Sequence, residues 1–398
     1  MTASLETGIP SSDIDLFSDE ALTDPYPLYK ALRDLAPIVY LEKLEMFALM
    51  RYEQVRAALD DWQTFSSSDG VGLNPEINKA MAGTIINSDP PHHTKLRTVI
   101  SSRMAPRALN DMRAGIDRKA DEFIERLLRR TEFDAVTDLA REFPVTAVLD
   151  ALGFPLDGRD KLLHWGTASF NSMGPANARC MATFQEAAEM FTWLAEECTA
   201  DAMIPGGFAT SIHEAAARGD IPRESVEHLL AAYAIPALDT TISAIGSSIS
   251  PFAQHPDQWE LVRADPSLVP GAFAEAVRLE SPVPSFGRTT RRPYSAGELS
   301  IGPGSRVLVS YASSNRDERK YADPDRFDIR RDNADHVSFG YGIHSCPGQG
   351  LAKFEGFAII EALARRVERF EIIGEPKLAL NNMTRSLGSL PVRVRLAA

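Results

Sequence analysis

The chain has 398 residues, of which 42 are Lys or Arg and 55 are Asp or Glu, and its formal net charge is −13 at pH 7. So acidic a chain is poorly suited to the phosphate backbone of a nucleic acid, and we expect no nucleic-acid partner. Three scattered cysteines, Cys180, Cys198 and Cys346, argue against a disulfide framework or a zinc site and fit a reducing compartment. The N-terminus shows no basic and then apolar leader, and the longest apolar run, near 229–238, is too short for a bilayer. These features predict a cytoplasmic protein without a membrane partner.

The N-terminal part of the chain contains one clear helix and one hairpin. Residues 1–20 are polar and acidic, and we expect them to form a loosely held arm before one large domain over residues 21–398. A helix is predicted to begin after Asp24-Pro25, because apolar residues then recur on one face. The apolar segments 38–40 and 46–49 predict a hairpin.

Residues 66–90 hold glycines, prolines and small polar residues with weak periodicity. They predict a long, partly irregular loop of the kind that often carries function. A helix is predicted directly after Asp89-Pro90-Pro91, and it places His93 and Arg97 one turn apart. Two donors one turn apart can hold one anion, although a solvated helix face is the common reason for such a pair.

The middle of the chain is predicted to be helical from 117 to about 199, and a short helix is expected between Gly206-Gly207 and Gly219-Asp220. Helix breaks are predicted at Phe143-Pro144, Gly153-Phe154-Pro155 and Gly174-Pro175.

A long helix is predicted from about 222 to 253. Pro236 should kink it, because proline lacks the N–H that the carbonyl of Ala232 would otherwise bind. Later segments alternate enough to predict short strands within 295–311 and 378–396. The fold class that these elements predict is mainly α with a small β lobe, in a single large domain.

Residues 339–348 form a glycine-rich loop that places Cys346 within one turn of an apolar helix. Free backbone N–H groups and the positive end of the helix dipole favour a thiolate at such a position. The glycines at 340, 342 and 348 allow left-handed or close-approach backbone near a large flat ligand, for which haem is the candidate. A small buried cysteine in a turn is the ordinary alternative.

The spacing of this loop decides between the two. Phe339, Gly342, His344, Cys346 and Gly348 match, position for position, the F-x-x-G-x-[HR]-x-C-x-G haem loop. In this respect the chain resembles the cytochrome P450 family, and other matches extend back to residue 93. The resemblance implies the cytochrome P450 fold and a haem-thiolate monooxygenase that uses O2.

The same resemblance implies how haem b, iron protoporphyrin IX, is held. Cys346 would be the iron ligand, and Phe339 and Gly348 would lie against the porphyrin. The haem propionates would be bound by four basic side chains, His93, Arg97, Arg288 and His344.

Asp239 and Thr240 coincide with the acid and alcohol that deliver protons to iron-bound dioxygen in this family. The alternative for Thr240 is a hydroxyl that bonds back to its own helical turn. The chain departs from the family here, because Pro236-Ala237 stands where Ala-Gly is usual. That change puts the shape of the oxygen groove in question.

Glu275 and Arg278 are spaced to form an ion pair within an apolar helix. A surface ion pair is the common explanation of such spacing. Together with Arg326, however, they resemble the buried Glu-Arg-Arg network of the family, which is structural.

Within the family, the chain resembles bacterial enzymes that O-demethylate para-methoxybenzoates over nearly its whole length, for example in residues 65–73. Asp69 stands where those enzymes have an arginine near the substrate carboxylate, and it would repel a benzoate. We therefore expect an uncharged methoxyphenol-type arene as substrate, with a para-substituted benzoate as the alternative. The expected substrate pocket contains Asp69, Phe170, Met173, Ala237, Val283, Phe286 and Leu390.

Residues 92–119 are basic in an otherwise acidic protein. This face suits an acidic electron carrier, which the resemblance identifies as a ferredoxin with an NAD(P)H-dependent reductase, although ordinary surface charge explains it equally well. Two rival functions are a peroxide-driven haem-thiolate enzyme, which would lack an intact Asp239-Thr240 pair and would have a carboxylate near the iron, and a haem-binding sensor or carrier, which would need Cys346 but not Thr240. The basic residues are Lys95, Arg97, Arg103, Arg107, Arg113, Arg118 and Lys119, against the acidic residues Asp111 and Asp117.

Overall fold

The computed structural model describes residues 8–397, and these fold mainly into helices. A π-helix (Ala135–Ala140) and three 3-10 turns (Arg159–Lys161, Pro266–Leu268 and Gly342–His344) supplement the α-helices. The α-helices are α1 (Asp19–Thr23), α2 (Tyr26–Leu35), α3 (Tyr52–Asp60), α4 (Pro75–Ala80), α5 (His92–Arg103), α6 (Pro106–Leu127), α7 (Glu142–Leu152), α8 (Leu162–Ser172), α9 (Ala178–Met181), α10 (Phe184–Glu196), α11 (Phe208–Arg218), α12 (Ser225–Ala234), α13 (Asp239–Gln254), α14 (Pro256–Ala264), α15 (Val269–Glu280), α16 (Tyr311–Ser314) and α17 (Gln349–Ala364).

The strands form a small lobe at one side of the helices and two hairpins. A six-stranded sheet has the order β1-β2-β3-β9-β6-β4, and a three-stranded sheet has the order β10-β13-β5. The hairpins are β7-β8 and β11-β12. The strands are β1 (Ser11–Ser12), β2 (Val39–Leu41), β3 (Met46–Leu49), β4 (Phe65–Ser66), β5 (Glu132–Asp134), β6 (Ser285–Thr290), β7 (Tyr294–Ala296), β8 (Leu299–Ile301), β9 (Arg306–Ser310), β10 (Val367–Ile372), β11 (Lys377–Leu380), β12 (Arg385–Ser389) and β13 (Pro391–Leu396).

The predicted mainly α fold with a small β lobe is confirmed, and so is the early hairpin, in which Tyr40 pairs with Phe47.

The expectation of a loose N-terminal arm is wrong for residues 8–20, which pack against the rest of the protein. Strand β1 pairs with β2, and Ile9, Leu16 and Phe17 are buried. The apolar side chains interspersed among the acidic ones explain this packing. Residues 1–7 of the expected arm lie outside the described residues.

The predicted helix break at Phe143-Pro144 is also wrong, because α7 runs through both residues. Pro144 lies in the first turn of the helix, where a proline N–H would have no helical partner in any case. The breaks predicted at Gly153 and Gly174 are confirmed, and Gly153 ends α7 with a left-handed backbone, φ 73°.

The long helix is divided into α12 and α13 by a non-helical turn at residues 235–238, as Pro236 predicts. By length and composition alone, the whole stretch Ser225–Gln254 could cross a membrane. In this protein 72% of its most apolar window is buried inside the fold, where α12 and α13 form part of the core.

The buried ion-pair network differs from its predicted composition. Glu275 and Arg278 on α15 are fully buried and form a bidentate pair, with nitrogen–oxygen distances of 2.7 and 2.9 Å. The second arginine is Arg331, whose Nε donates to Glu275 at 3.0 Å. Arg326 instead pairs with Asp328 at the surface, so the prediction for Arg326 was wrong. Glu275 also accepts the backbone N–H of Asp328, which ties this loop to α15.

Candidate active site

A cavity of about 280 Å³ lies at the centre of the helical part and has both apolar and charged walls. Helices α5, α8, α12 and α13, strand β6 and the loop before α17 contribute to it. Cys346 lies on this cavity together with Phe339 and Gly348. The residues that the sequence places around haem therefore do surround a single cavity.

The loop that carries Cys346 is held by its backbone. The N–H of Cys346 donates to the carbonyl of Phe339 at 2.7 Å, and α17 begins three residues after the cysteine. Gly340 and Gly342 have left-handed backbones, with φ of 68° and 66°. A Cβ at Gly342 would lie 2.3 Å from the carbonyl oxygen of Leu59, so only glycine fits there. Gly348 has an ordinary φ of −83°, so the left-handed backbone expected there is not found, and a Cβ at this position would lie at an ordinary contact distance of 3.9 Å from the Cys346 sulfur.

Two opposing effects act on the Cys346 thiol. Burial raises its pKa, whereas the backbone N–H groups of Gly348 and Gln349 and the charge of Arg97 lower it. The lowering effects are those expected at a helix start, with Arg97 added from α5. A metal cation bound to the sulfur would lower the pKa of the thiol further and stabilise the thiolate.

Four basic side chains meet at one end of the cavity. His93, Arg97, Arg288 and His344 all line it, and the rings of His93 and His344 lie 4.5 Å apart, centroid to centroid. Burial, followed by the charge of Arg97, lowers the pKa of His93 to about 4. Burial, followed by Arg288, His93 and Arg97, lowers the pKa of His344 to about 2.

This cluster is incomplete as a set of hydrogen bonds. The Nε2 atoms of both histidines are buried and have no partner within residues 8–397. Arg288 is 4% exposed, and its Nη1 donates to the carbonyl of Gly287. Buried polar groups are normally paired, so this end of the cavity is suited to an anion with several acceptor oxygens. The two carboxylates of a haem fit the donors that are present.

Asp239 and Thr240 follow the turn between α12 and α13 but face different surroundings. Thr240 lines the cavity, and its hydroxyl donates to the carbonyl of Pro236 at 2.8 Å, which is the local bond anticipated as the alternative. Asp239 is not on the cavity wall; its Oδ1 accepts the hydroxyl of Thr167 at 2.9 Å, and its Oδ2 is buried without a partner. Burial raises the pKa of Asp239 to about 6, against the lowering effects of Thr167 and Arg141.

Most of the expected substrate pocket lies on the cavity wall, namely Phe170, Met173, Ala237, Val283 and Phe286.

The predictions for Asp69 and Leu390 were wrong. Asp69 is exposed and forms an ion pair with Arg291 at 2.7 Å, away from the cavity. Leu390 is buried, and its N–H donates to Asp134 in the three-stranded sheet. The argument that Asp69 repels a benzoate therefore no longer applies.

Two cavity residues were missed at the sequence level. Glu355 on α17 is 1% exposed, its Oε2 has no partner within residues 8–397, and burial raises its pKa well above the usual value. It lies at helical spacing from Leu351 and Ala358, so a carboxyl on the apolar face of that helix was a readable signal. His228 on α12 also lines the cavity, and a single histidine on a helix gave no such signal.

The basic segment 92–119 divides in the structure. Arg97 points to the cavity, whereas Lys119 bonds Asp150 on α7 at 3.0 Å. Lys95 and Arg107 are exposed and form no ion pair within residues 8–397. Lys95 on α5 and Arg107 on α6 therefore contribute positive charge to the surface.

The comparisons with known proteins agree with this site. The cytochrome P450 family model matches residues 237–395. Cytochrome P450 CYP199A2 of Rhodopseudomonas palustris is 40% identical over 391 residues, covering 97% of this chain and 95% of that protein. The chain belongs to the cytochrome P450 family.

More distant relatives support the same assignment. The beta-dihydromenaquinone-9 omega-hydroxylase of Mycobacterium tuberculosis is 31% identical, covering 96% of this chain and 78% of that protein. The solved structure of cytochrome P450 CYP109Q5 from Chondromyces apiculatus superimposes with a TM-score of 0.79 at 27% identity, covering 97% of this chain and 99% of that one. This P450 is accordingly a haem-thiolate monooxygenase that uses haem b.

Proposed function

We propose that this P450 hydroxylates or O-demethylates a small aromatic substrate of the methoxyphenol type, with electrons from a ferredoxin and an NAD(P)H-dependent reductase in the cytoplasm. The observation that carries the proposal is the apolar part of the cavity wall, to which Phe170, Phe286, Val283 and Met173 contribute. Aromatic and aliphatic side chains of this kind bind a flat apolar ring, with few polar groups to orient it. The resemblance to bacterial O-demethylating enzymes supports the reaction type.

The charge of the wall supports a neutral substrate. The arginines on the cavity are Arg97 and Arg288, and both belong to the cluster that suits the haem carboxylates. Among residues 8–397, a substrate carboxylate would therefore have no arginine or lysine of its own on the wall. A para-substituted benzoate remains the second candidate, because His228 offers one polar contact and the resemblance favours it.

Within this proposal each site residue has one role. Cys346 would be the iron ligand; His93, Arg97, Arg288 and His344 would bind the propionates; and Phe339 and Gly348 would lie against the porphyrin. The ion pairs of Glu275 with Arg278 and Arg331 stabilise the fold. When bound, haem b supplies the activation of dioxygen, which consumes two electrons and two protons for each substrate oxidised.

Thr240 and Asp239 hold and move those protons. Thr240 lines the cavity at the start of α13, where its hydroxyl can bond a water molecule as well as the Pro236 carbonyl. Asp239 has a pKa of about 6, so it both takes up and releases a proton near neutral pH. A rotation of its side chain away from Thr167 would carry the proton from the protein interior towards Thr240.

The overall reaction then balances. One oxygen atom of O2 enters a C–H bond of the methoxy group, and the other leaves as water. The resulting hemiacetal breaks at its C–O bond into a phenol and formaldehyde, and the hydroxyl proton moves to the phenol oxygen.

The carboxyls of the cavity support a monooxygenase over a peroxide-driven enzyme. Among residues 8–397, the one carboxyl that lines the cavity is Glu355, on the helix that follows Cys346. The wall formed by α12 and α13 has no carboxyl facing the cavity that could activate peroxide. The exposed Lys95 and Arg107 supply a basic surface for an acidic ferredoxin.

The test is to incubate the purified enzyme with para-methoxyphenol, NADH, ferredoxin and reductase and to measure formaldehyde and the phenol product. We expect one formaldehyde per demethylated substrate, and we expect Thr240→Ala to consume NADH with much less product. Equal turnover with hydrogen peroxide alone would contradict the proposal. Oxidation of benzoates but not of phenols would replace its substrate class.

Cys346→Ser should abolish the red-shifted band of the ferrous carbon monoxide complex. Cys180→Ser is the control, because Cys180 is a buried cysteine whose thiol donates to the carbonyl of Ser172, away from the cavity. An unchanged band in Cys346→Ser would remove Cys346 as the ligand.

A further inference from the structure

The polar groups of the cavity are unevenly distributed. Four basic side chains gather at the Cys346 end, and the wall beyond them is mainly apolar. His228 on α12 is the one basic side chain of the cavity that stands apart from the cluster, as far as residues 8–397 show. Such a group in an apolar wall determines what else can bind there.

The position of His228 follows from the helix that carries it. His228, Ala232, Pro236 and Thr240 follow one another at intervals of four residues, and all four line the cavity. Twelve residues at about 1.5 Å per residue correspond to a separation on the order of 18 Å, shortened by the turn at 235–238. His228 and Thr240 therefore lie at opposite ends of this row of cavity residues.

The imidazole of His228 is not committed to the protein. It is half-buried and forms no hydrogen bond with another residue in 8–397. Its neighbour in the 66–90 loop is Gly83, where a Cβ would lie 4.0 Å from the His228 Cε1 atom. The carbonyl of Gly83 is bonded to Nε2 of His92 at 3.1 Å, so it is already paired. One ring nitrogen of His228 can donate and the other can accept, and both remain available to a ligand.

We propose that His228 is a specificity-determining residue, which hydrogen-bonds an oxygen substituent on the aromatic ring at the end remote from the carbon that is oxidised. The inference rests on the proposed aromatic substrate and deepens it. The oxygen belongs to a hydroxyl or to a carboxylate, since imidazole pairs with both. The apolar wall between His228 and Thr240 holds the ring, and the hydrogen bond fixes which end faces Thr240.

The experiment uses three probes that coordinate the haem iron and need no turnover: phenylimidazole and its para-hydroxyphenyl and para-carboxyphenyl analogues. Their Kd values are measured from the Soret shift of the holoenzyme for wild type, His228→Phe and His228→Gln. We expect at least one polar analogue to bind wild type about five- to tenfold more tightly than the parent, the worth of one hydrogen bond. That advantage should vanish in His228→Phe and partly return in His228→Gln. The parent probe should bind all three within about twofold.

The two polar analogues show whether a hydroxyl or a carboxylate is preferred. The proposal is overturned if neither analogue gains over the parent in wild type, if the gain persists in His228→Phe, or if all three probes weaken together. Failure of the proposed function appears separately, as an absence of formaldehyde from methoxyarenes while the probes still depend on His228.

Discussion

Two polar clusters inside this P450 both contain arginines but differ in how their side chains are paired. In the first, Glu275 accepts hydrogen bonds from Arg278, Arg331 and the N–H of Asp328. In the second, the Nε2 atoms of His93 and His344 are buried without a partner within residues 8–397. The first cluster is complete within the chain, whereas the second becomes complete only with an anion from outside it.

This difference separates structural residues from binding residues, which burial alone does not. Removing one partner from a complete buried network leaves the others charged and unpaired, so stability falls steeply. Removing an unpaired donor costs the fold little, because no hydrogen bond is lost. The loss then appears in the binding of the ligand.

The largest effect is expected from Glu275→Gln. Arg278 and Arg331 would keep their charges without the carboxylate, and we expect a loss of about 3–5 kcal/mol in the free energy of unfolding. Urea denaturation followed by circular dichroism measures it. Arg326→Gln is the control and should change stability by less than about 0.5 kcal/mol, because its ion pair with Asp328 is at the surface. Equal losses in the two variants would refute the assignment of Arg331.

The next largest effect is expected from Asp239→Asn and depends on pH. The carboxyl has its pKa raised from 3.8 to about 6, so above pH 6 the folded protein holds a charge that its surroundings disfavour. Two units of pKa correspond to about 3 kcal/mol. The asparagine variant should therefore be more stable than wild type by up to that amount at pH 7, and its advantage should shrink as the pH falls from 6 towards 4.

Asp150→Asn is the control for this pH dependence. Lys119 lowers the pKa of Asp150, so the variant should show no gain in stability at pH 7. A pH-independent difference between Asp239→Asn and wild type would show that the carboxyl is not strained by burial. Product formation should fall in Asp239→Asn, because asparagine cannot transfer the proton.

The smallest change in stability is expected from His93→Leu. Its unpaired Nε2 contributes no hydrogen bond, so the free energy of unfolding should stay within about 0.5 kcal/mol of wild type in urea denaturation. Haem loss to an excess of apomyoglobin should be about tenfold faster, because one charge-assisted bond to a propionate is removed.

His213→Leu provides the opposite pattern as a control. Its Nε2 is bonded to the carbonyl of Cys198 at 2.9 Å, so its loss should cost about 1 kcal/mol. Haem loss should not change, because His213 does not line the cavity. If His93→Leu behaved like His213→Leu, the cluster would be structural.

The success of the sequence predictions depended on whether a feature is local in the chain. The Cys346 loop, the kink at Pro236 and the helix with His93 and Arg97 were predicted, because backbone geometry and helical spacing act over a few residues. The same holds for Glu275 and Arg278, one turn apart on α15.

The errors arose where a loop decides the contact. Several arginines follow α16, and the left-handed residue Asp323, φ 46°, helps to turn the chain so that Arg331 reaches Glu275 in place of Arg326. Asp69 pairs with Arg291, more than two hundred residues away in the chain, and does not line the cavity. No local pattern encodes such pairs, so neither the second arginine nor the pocket boundary could be read from one sequence.

Gly342 links the cysteine loop to a helix that has no chemical role. The oxygen of Leu59, near the end of α3, occupies the space that any side chain at 342 would need. The Leu59 carbonyl, nearly three hundred positions earlier in the chain, thus helps to fix the position of the loop that carries the Cys346 sulfur. A change in the last turn of α3 should therefore shift the Cys346 loop and with it the position of the sulfur, although no residue of that turn lines the cavity.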